Sequence, residues 1–446
     1  MLDGGDLMWR STRLSDRRLA QQQIKGKLQL SSLTERGIDA MVPGAGDLAL
    51  GLGWLTDMAS ATGAPYAAAN LTCDGTAPFP ATRAIDIDGL KVVVAGVLAT
   101  TDQVPEGCEV SEPEQALTAA LAPITDAHLI VVLSRLDESA DARLSMALPQ
   151  VDLIVAGGSK SPRPTPTLTD TGAARLQMGA RGKQLGQATI TLVPGADRFS
   201  GALQVDDLAK DLARMKKRLA SAEQQLAKAA DDRSKERAQR RIDHYKSEIP
   251  KREAALAAAR DSASKPAHTL EMRLTSLDDR VADHPATLAA VEQANADIAA
   301  FETAARPSKR VENGPFIGSG ACIGCHPAES AQWKSTSHAS AWATLEADQR
   351  HMDLDCWSCH ATGAFHPEGP QHPTQVGDLK NVGCESCHGP GRDHVDAPAA
   401  GQMNVSPGQE RCVNCHDGTQ DEGRFDFESY RPKIVHTGVV SGAPTE

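Results

Sequence analysis

A five-residue pattern that occurs four times near the end of the chain constrains it more than any other feature. Eight of the ten cysteines fall between Cys322 and Cys415 as four pairs of one spacing: Cys322/Cys325, Cys356/Cys359, Cys384/Cys387 and Cys412/Cys415. Each pair encloses two residues and is followed at once by a histidine: His326, His360, His388 and His416. With histidine at 14 of 446 positions, four chance placements after the second thiol have a probability of roughly one in a million.

Three chemistries use such pairs. Tetrahedral zinc takes C-x-x-C pairs two at a time, but nothing in zinc binding requires a histidine directly after every second cysteine. Thioredoxin-like redox pairs come singly, within an alternating strand and helix pattern that is absent here. In C-x-x-C-H the two thiols bond to the edge of a porphyrin and the next residue sets its imidazole under the iron. The pattern therefore reads as four c-type haems, with a double zinc site as the alternative. Ten of the fourteen histidines lie after position 311. Setting the four motif histidines aside leaves His338, His351, His366, His372, His394 and His436, enough to supply second axial ligands. An iron with two histidines carries electrons, whereas one with a single histidine can bind a small molecule. His351 and His372 are read as surface residues.

The residues around the motifs carry a family resemblance. Cys322-Ile-Gly-Cys-His326, then Gln332-Trp-Lys334 and Ser337-His-Ala339, resembles the opening of the tetrahaem cytochromes c related to the electron carrier of bacterial ammonia oxidation. Asp355-Cys356-Trp-Ser-Cys-His360, the run from Val382 to Gly391 with His394 after it, and Glu410-Arg-Cys412 are similar to the same family. The resemblance covers about residues 316 to 436. It implies that His338 and His394 are distal ligands. His436, in the closing segment from Tyr430, is the third distal candidate. The second haem of the family's best-known member lacks a distal protein ligand; here His366 follows Cys359 closely enough to fill that place.

Ahead of this region, apolar runs alternate with amphipathic stretches. Ile38–Val42, Tyr66–Asn70, Lys91–Leu98, His128–Ser134 and Val151–Ala156 read as strands, with helical patterns such as Leu14–Arg36 and Glu112–Leu121 between them. Alternation of this kind indicates an α/β layered domain, and Asp88-Gly89 signals a hairpin turn. Leu2-Asp-Gly-Gly-Asp6 and Ile38-Asp-Ala-Met-Val-Pro-Gly44 resemble the strand ends of the five-prime-nucleotidase branch of calcineurin-like metallophosphoesterases. Working members hold two metals on Asp, Asn and His side chains, which clamp a phosphate and activate water. In this chain Ala45-Gly46 replaces the Asn-His pair, Arg135 stands for a histidine, and Gly158 and Lys160 replace the G-H-x-H pair. Only Asp6 survives, so the resemblance implies a vestigial site with no functional dinuclear centre. Arg135 and Lys160 would repel metal ions there, although they could hold an anion.

The resemblance spans residues 1–200 and 265–305, interrupted by a segment of different composition at 203–262. Leu208, Leu212, Met215, Leu219, Ala222, Leu226 and Ala229 alternate spacings of four and three, the seam of a coiled coil. Asp231 to Glu236 is polar enough to turn the chain, and Ile242, Tyr245, Ile249 and Leu256 give a second arm, which Pro250 is expected to kink. An antiparallel hairpin is expected, read as a solvated face or as a docking or dimerisation arm. A helix starts at Asp283 and Pro285 and runs towards Ala305. Residues 306–320 read as the linker into the haem region, 321–446. The whole is multidomain: an α/β phosphoesterase-like domain with an inserted coiled-coil hairpin, then a mostly α and irregular multihaem domain. Cys73 and Cys108 read as buried thiols, with a disulfide possible in an oxidising compartment.

Charge and composition add the partners. The net charge is −12, which argues against a nucleic-acid binder. Eighteen Asp or Glu stand against eight Lys or Arg after position 310, so the acidity is concentrated around the motifs and points to a basic redox partner. Aromatics make up only 3% of the chain, and the core of the haem region is expected to be built largely from porphyrin. No run approaches a membrane span. Covalent haem attachment takes place outside the cytoplasm in bacteria, which implies a periplasmic or otherwise exported protein, yet residues 1–18 lack the pattern of a signal peptide. The phosphoesterase family's first D-x-H motif precedes the L-D-x-G-D strand, so the expectation is a start misassigned or placed late.

Three functions remain open at this level: electron transfer through four haems with the α/β domain as scaffold, a redox enzyme with one open haem acting on a small nitrogen compound, and a surviving phosphoesterase.

Overall fold

The computed structural model describes residues 1–8, 14–158, 162–180, 182–196, 198–229, 231–305, 314–399, 402–418 and 423–436. The chain divides into two compact units, Met1–Ser15 with Gln29–Asp283, and Asp16–Leu28 with His284–Glu446. These boundaries differ from those expected. The stretch Asp16–Leu28 and the helix after Asp283 both fall in the second unit.

The strands of the first unit are β1 (Leu2–Asp3), β2 (Ala40–Met41), β3 (Leu71–Cys73), β4 (Thr82–Ile87), β5 (Leu90–Val97), β6 (Cys108–Val110), β7 (Leu129–Ser134), β8 (Leu153–Ala156), β9 (Thr167–Leu168), β10 (Ala174–Gln177), β11 (Gln184–Thr191) and β12 (Thr269–Ser276). Six of them form one sheet in the order β4-β5-β7-β8-β10-β9. The four inner strands run parallel, and β4 and β9 join antiparallel at the edges. A parallel strand is covered on both faces and so reads as an unbroken apolar run. That is the composition of β7 and β8, whose residues are all buried.

The helices are α1 (Asp16–Glu35), α2 (Ala45–Leu48), α3 (Leu52–Thr62), α4 (Pro113–Leu121), α5 (Glu138–Ala147), α6 (Ala202–Lys228), α7 (Asp232–Ala263) and α8 (Pro285–Ala304), followed by short turns in the second unit. Leu117 and Leu121 of α4 and Leu144 of α5 pack on Val93, Val132 and Ile154 of the sheet to make its core. The β4–β5 turn places Asp88 and Gly89 at φ 52° and 85°, the left-handed pair that a two-residue hairpin needs.

Four of the five expected strands coincide with observed ones. The fifth, Tyr66–Asn70, is not a strand: its amides reach Met41, Pro80 and Gly96 in turn, so no continuous ladder forms. Cys73 and Cys108, directly opposed between β3 and β6, are joined in a disulfide.

Helices α6 and α7 pack antiparallel, since Lys216 pairs with Glu253 and, further along, Glu223 with Lys246. Leu212 and Ala222 are buried on one arm and Ala238, Ile242, Leu256 and Ala259 on the other. Pro250 lies inside α7, which continues through it.

In the second unit, Phe316, Trp342, Leu345, Leu354, Trp357, Ala361, Val376 and Leu379 form an apolar cluster around Cys356. The first part of α1 lies along the segment that leads to Cys356. Arg18 pairs with Asp355 at 2.9 Å, and Lys25 reaches Asp353 at 2.6 Å and Asp355 at 2.8 Å. Burial opposes the charge on Asp353, but Lys25 prevails and holds its pKa below the usual range.

Two expectations are corrected here. Residues 306–313 of the proposed linker lie outside the described residues, but the linker's last part is packed structure, with Phe316 buried. His372, read as a surface residue, is 1% exposed, because Glu302 of α8 provides a buried partner for its ring.

Candidate functional site

Each C-x-x-C-H run folds as about one helical turn. A turn brings positions i, i+3 and i+4 to one face, which are the two thiols and the imidazole. In the first and fourth motifs the backbone N–H of His326 and of His416 donates to the carbonyl of the first cysteine, at 2.9 Å in each case. The third motif is itself a short helix, Cys384–His388, and the second is a 3-10 turn over Trp357–His360. Pro327, in the first helical position after His326, has no N–H to leave unpaired.

The motifs are knitted together by polar groups that pattern reading did not single out. Glu385, between the thiols of the third motif, is 2% exposed. Its carboxylate accepts backbone N–H bonds from Gly318 at 2.7 Å, Gly391 at 2.8 Å and Ile317 at 3.1 Å. It thereby ties the entry to the first motif and the exit of the third to one point. Ser319 Oγ accepts from the Cys384 amide, and Thr362 Oγ1 from that of Gly383. A Cβ on Gly383 would collide with both hydroxyls. Glutamate inside the third motif was visible in the sequence, but only as part of a family run.

The thiols lie pairwise between motifs. The Cys322 and Cys384 thiols act on one another, as do those of Cys359 and Cys415, whose Sγ also lies 3.9 Å from the Cys359 carbonyl. Cys387 and Cys412 are close enough to influence one another. The first motif is thus beside the third, the third beside the fourth, and the fourth beside the second. Among the described residues, no three His, Cys, Asp or Glu side chains converge as ligands of a bare metal ion.

Three motif histidines face a second imidazole. Ring centres are 6.4 Å apart for His326 and His394, 6.4 Å for His416 and His338, and 6.2 Å for His388 and His436. Two imidazoles bound to one metal through nitrogens at about 2.0 Å have ring centres about 6.3 Å apart. The gap between each pair therefore fits a bis-histidine iron. Two motif rings are also turned to present Nε2, since Nδ1 of His360 lies 2.6 Å from the Ala341 carbonyl and Nδ1 of His388 lies 2.6 Å from that of Asn404. A ring that donates from Nδ1 offers Nε2 to a metal. Burial, helped by the facing His416, holds the His338 pKa below its ordinary value and keeps that ring in the neutral form a metal requires.

His360 differs. Among the described residues no imidazole faces it at such a distance. The His366 ring packs edge-on against Phe316 with centres 5.2 Å apart, and its Nδ1 accepts from the Glu368 amide. His351 is half-buried beside Trp342, with a buried Nδ1 that has no partner.

In the first unit, Asp6 stands at the end of β1 with φ 55°. One of its carboxylate oxygens accepts from the Gly46 amide at 2.8 Å and the other pairs with the Arg135 guanidinium. Arg135, expected to repel metal ions or to hold an anion, pairs with the Asp6 carboxylate. Its Nε and Nη1 are buried without a partner. Asp47, fully buried, accepts from the amides of Asp6, Met8 and Gly44. Burial outweighs those bonds and pushes its pKa up to about 7. Lys160 lies outside the described residues.

Residues 321–389 match the family model described as cytochrome c554 and c-prime, which implies covalently bound c-type haem. No curated protein matches the chain. Among solved structures, the chain is similar to the sulfate thiohydrolase SoxB of Thermus thermophilus in complex with glycerol, at 24% identity over 44% of this chain and 36% of that one, with a TM-score of 0.38. It is also similar to a 5'-nucleotidase precursor from Thermus thermophilus, at 21% identity over 43% and 42% with a TM-score of 0.36. The calcineurin-like phosphoesterase YfkN of Bacillus subtilis follows at 17% identity over 44% and 72%, with a TM-score of 0.34. The chain spans well under half the length of the first two. No helix among the described residues is long and apolar enough to cross a membrane.

Proposed function

We propose that this chain is an exported multihaem cytochrome that carries electrons through four covalently bound c-type haems. The single observation that carries this reading is the set of three motif histidines, each facing a second imidazole across a gap that fits an iron. Cys322, Cys325, Cys356, Cys359, Cys384, Cys387, Cys412 and Cys415 would form the thioethers. His326, His360, His388 and His416 would be the proximal ligands, with His394, His436 and His338 distal to His326, His388 and His416. When bound, a c-type haem supplies a one-electron centre.

The chain's own residues orient the imidazoles, exclude water and set the neighbours in the order first, third, fourth, second motif. The acidic surface of this region favours a basic redox partner, with an on-rate that falls as salt rises. The phosphoesterase-like unit, its vestigial Asp6 held by Arg135, serves as scaffold, and the coiled-coil hairpin as a docking or dimerisation arm. The test is a pyridine haemochrome assay with intact mass on protein matured with haem. Four covalent haems are expected, and fewer would overturn the proposal.

One observation favours a second reading. His360 has no facing imidazole among the described residues, which leaves the second haem open to a small nitrogen compound and makes the chain a redox enzyme. Carbon monoxide added to the reduced protein shows whether that haem is open, and turnover of a small nitrogen compound by the haem-loaded protein separates the two readings.

A further inference from the structure

The second unit contains a buried ionisable pair that electron transfer as proposed does not use. His372 and Glu302 are 1% and 0% exposed, and Nε2 of the ring lies 2.5 Å from the carboxylate. Nδ1 accepts the backbone N–H of Thr374 at 3.2 Å and lies 2.7 Å from Thr374 Oγ1. An Nδ1 that accepts is unprotonated, so the ring is neutral and donates from Nε2 to Glu302. Arg17 balances the carboxylate from 3.3 Å, and Glu302 and Arg17 are the charges that act on the ring. The set is therefore neutral overall and has room for one more proton. Its acceptor is ready: an Nδ1–H would donate to Thr374 Oγ1, and Thr374 is exposed to solvent.

The same network runs toward the second motif. Gln21 Nε2 donates both to Glu302, at 2.8 Å, and to the Met352 carbonyl, at 2.9 Å. Gln21 Oε1 accepts the Leu354 amide at 2.9 Å. Leu354 packs in the apolar cluster with Trp357, Ala361 and Cys356. At the motif end of this network burial pushes the Cys356 thiol up to about 12, and Asp353, Arg350 and Lys25 also act on it.

We propose that the His372–Glu302 pair is a proton-uptake site coupled to the haem of Cys356 and Cys359, taking one proton from solvent through Thr374 when that haem gains an electron. The inference rests on the haem reading above. The electron comes from the redox partner and takes the iron from ferric to ferrous. The proton comes from hydronium in the solvent, whose O–H bond breaks to leave water as the N–H bond at His372 Nδ1 forms; the Thr374 amide gives up its hydrogen bond to Nδ1, and the ring donates to Thr374 Oγ1 instead. Burial and Arg17 hold the ring below its ordinary pKa despite Glu302, so the site is vacant at neutral pH before the electron arrives. His372 and Glu302 act through the haem's surroundings and are positioning residues.

The test follows the four midpoint potentials of the haem-loaded protein from about pH 5 to 8, with His372→Gln and Glu302→Gln alongside. In the wild type the second haem's potential falls with rising pH, towards the limit of one proton per electron, tenfold or about 59 mV for each pH unit. Both variants flatten that slope and leave the other three haems as they were. A slope kept in both variants, or absent from the wild type, overturns the inference. Redox-difference infrared spectra of wild-type protein with ring-labelled histidine give a check that needs no variant: a doubly protonated imidazole that appears on reduction, a form no iron-bound ring can take, supports the site and its absence overturns it. A Cys356–Cys359 peptide that carries no haem overturns the haem reading itself. A loaded haem with a flat profile overturns the coupling alone.

Discussion

Replacing Glu385 with alanine tests the claim that one carboxylate holds the first and third motifs together. The buried acceptors of the Gly318 and Gly391 amides disappear, and that of the half-buried Ile317 amide goes with them. An orphaned buried N–H costs about 1–3 kcal/mol. Two full losses and one partial loss give about 3–6 kcal/mol. For a unit of this size each kcal/mol moves the midpoint by about 2–4 °C, so the transition falls by roughly 10–20 °C. Glu385→Gln keeps one acceptor oxygen and loses the charge, and about half of that fall is expected. The assay is thermal and urea unfolding of haem-loaded protein followed at the Soret band, which reports the haem unit, and by far-ultraviolet circular dichroism for the whole chain. A Glu385→Ala protein within about 1 kcal/mol of wild type would refute the reasoning. So would an equal loss in the first unit, which supplies none of the three amides.

Carbon monoxide added to the reduced protein is expected to change the spectrum of one haem in four, and His366→Ala to leave that change intact, because His366 is engaged with Phe316 and Glu368; no change at all would mean that His360 has acquired a partner. Burial raises the Asp47 pKa from 3.8 to about 7, so the folded first unit binds this proton more tightly than the unfolded chain does. The contribution, about 4 kcal/mol, is complete below about pH 4 and is lost as pH rises through about 7. Urea midpoints at pH 5 and pH 8 check the sign. Arg135→Met strands Asp6 and should cost about 1–3 kcal/mol, since Asp6 is partly exposed; Asp6→Asn in the same chain should restore most of it. Neither protein is expected to hydrolyse phosphate esters when manganese is added.

The haem motifs were legible because covalent attachment dictates residue identity at fixed spacing, and identity survives without knowledge of the fold. Which of the candidate histidines faces which motif was not, because pairing is set by tertiary approach. His338 lies twelve residues after His326 in sequence yet faces His416. His366, six residues after His360, faces Phe316 instead. Arg135 illustrates the same limit: its charge was read as repelling cations or holding an anion, but that the left-handed turn at Asp6 brings it the chain's own carboxylate was not visible in the sequence. His372 looked like a surface histidine because its partner Glu302 comes from a helix seventy positions earlier. The sheet was easier, since a parallel strand must be apolar on both faces and announces itself locally.

The thin aromatic supply acquires a location from the structure. Among the described residues from 314 onward, every buried apolar side chain except Pro370 and Pro373 belongs to the cluster around Cys356. The cysteines of the first, third and fourth motifs are half-buried or exposed, and their neighbourhoods are knitted by Glu385, Ser319, Thr362 and facing imidazoles rather than by packed hydrocarbon. Polar links of this kind fix geometry but contribute little net stability unless water is excluded from them. A flat apolar cofactor slotted between each imidazole pair would exclude it and supply the missing apolar area. On the four-haem reading, the second motif, which has its own protein core, would need its haem least for folding, while the other three would depend on theirs. Folding and haem loading would then be one process for most of this unit, and the motif able to stand without its haem would also be the one whose iron has room for a ligand.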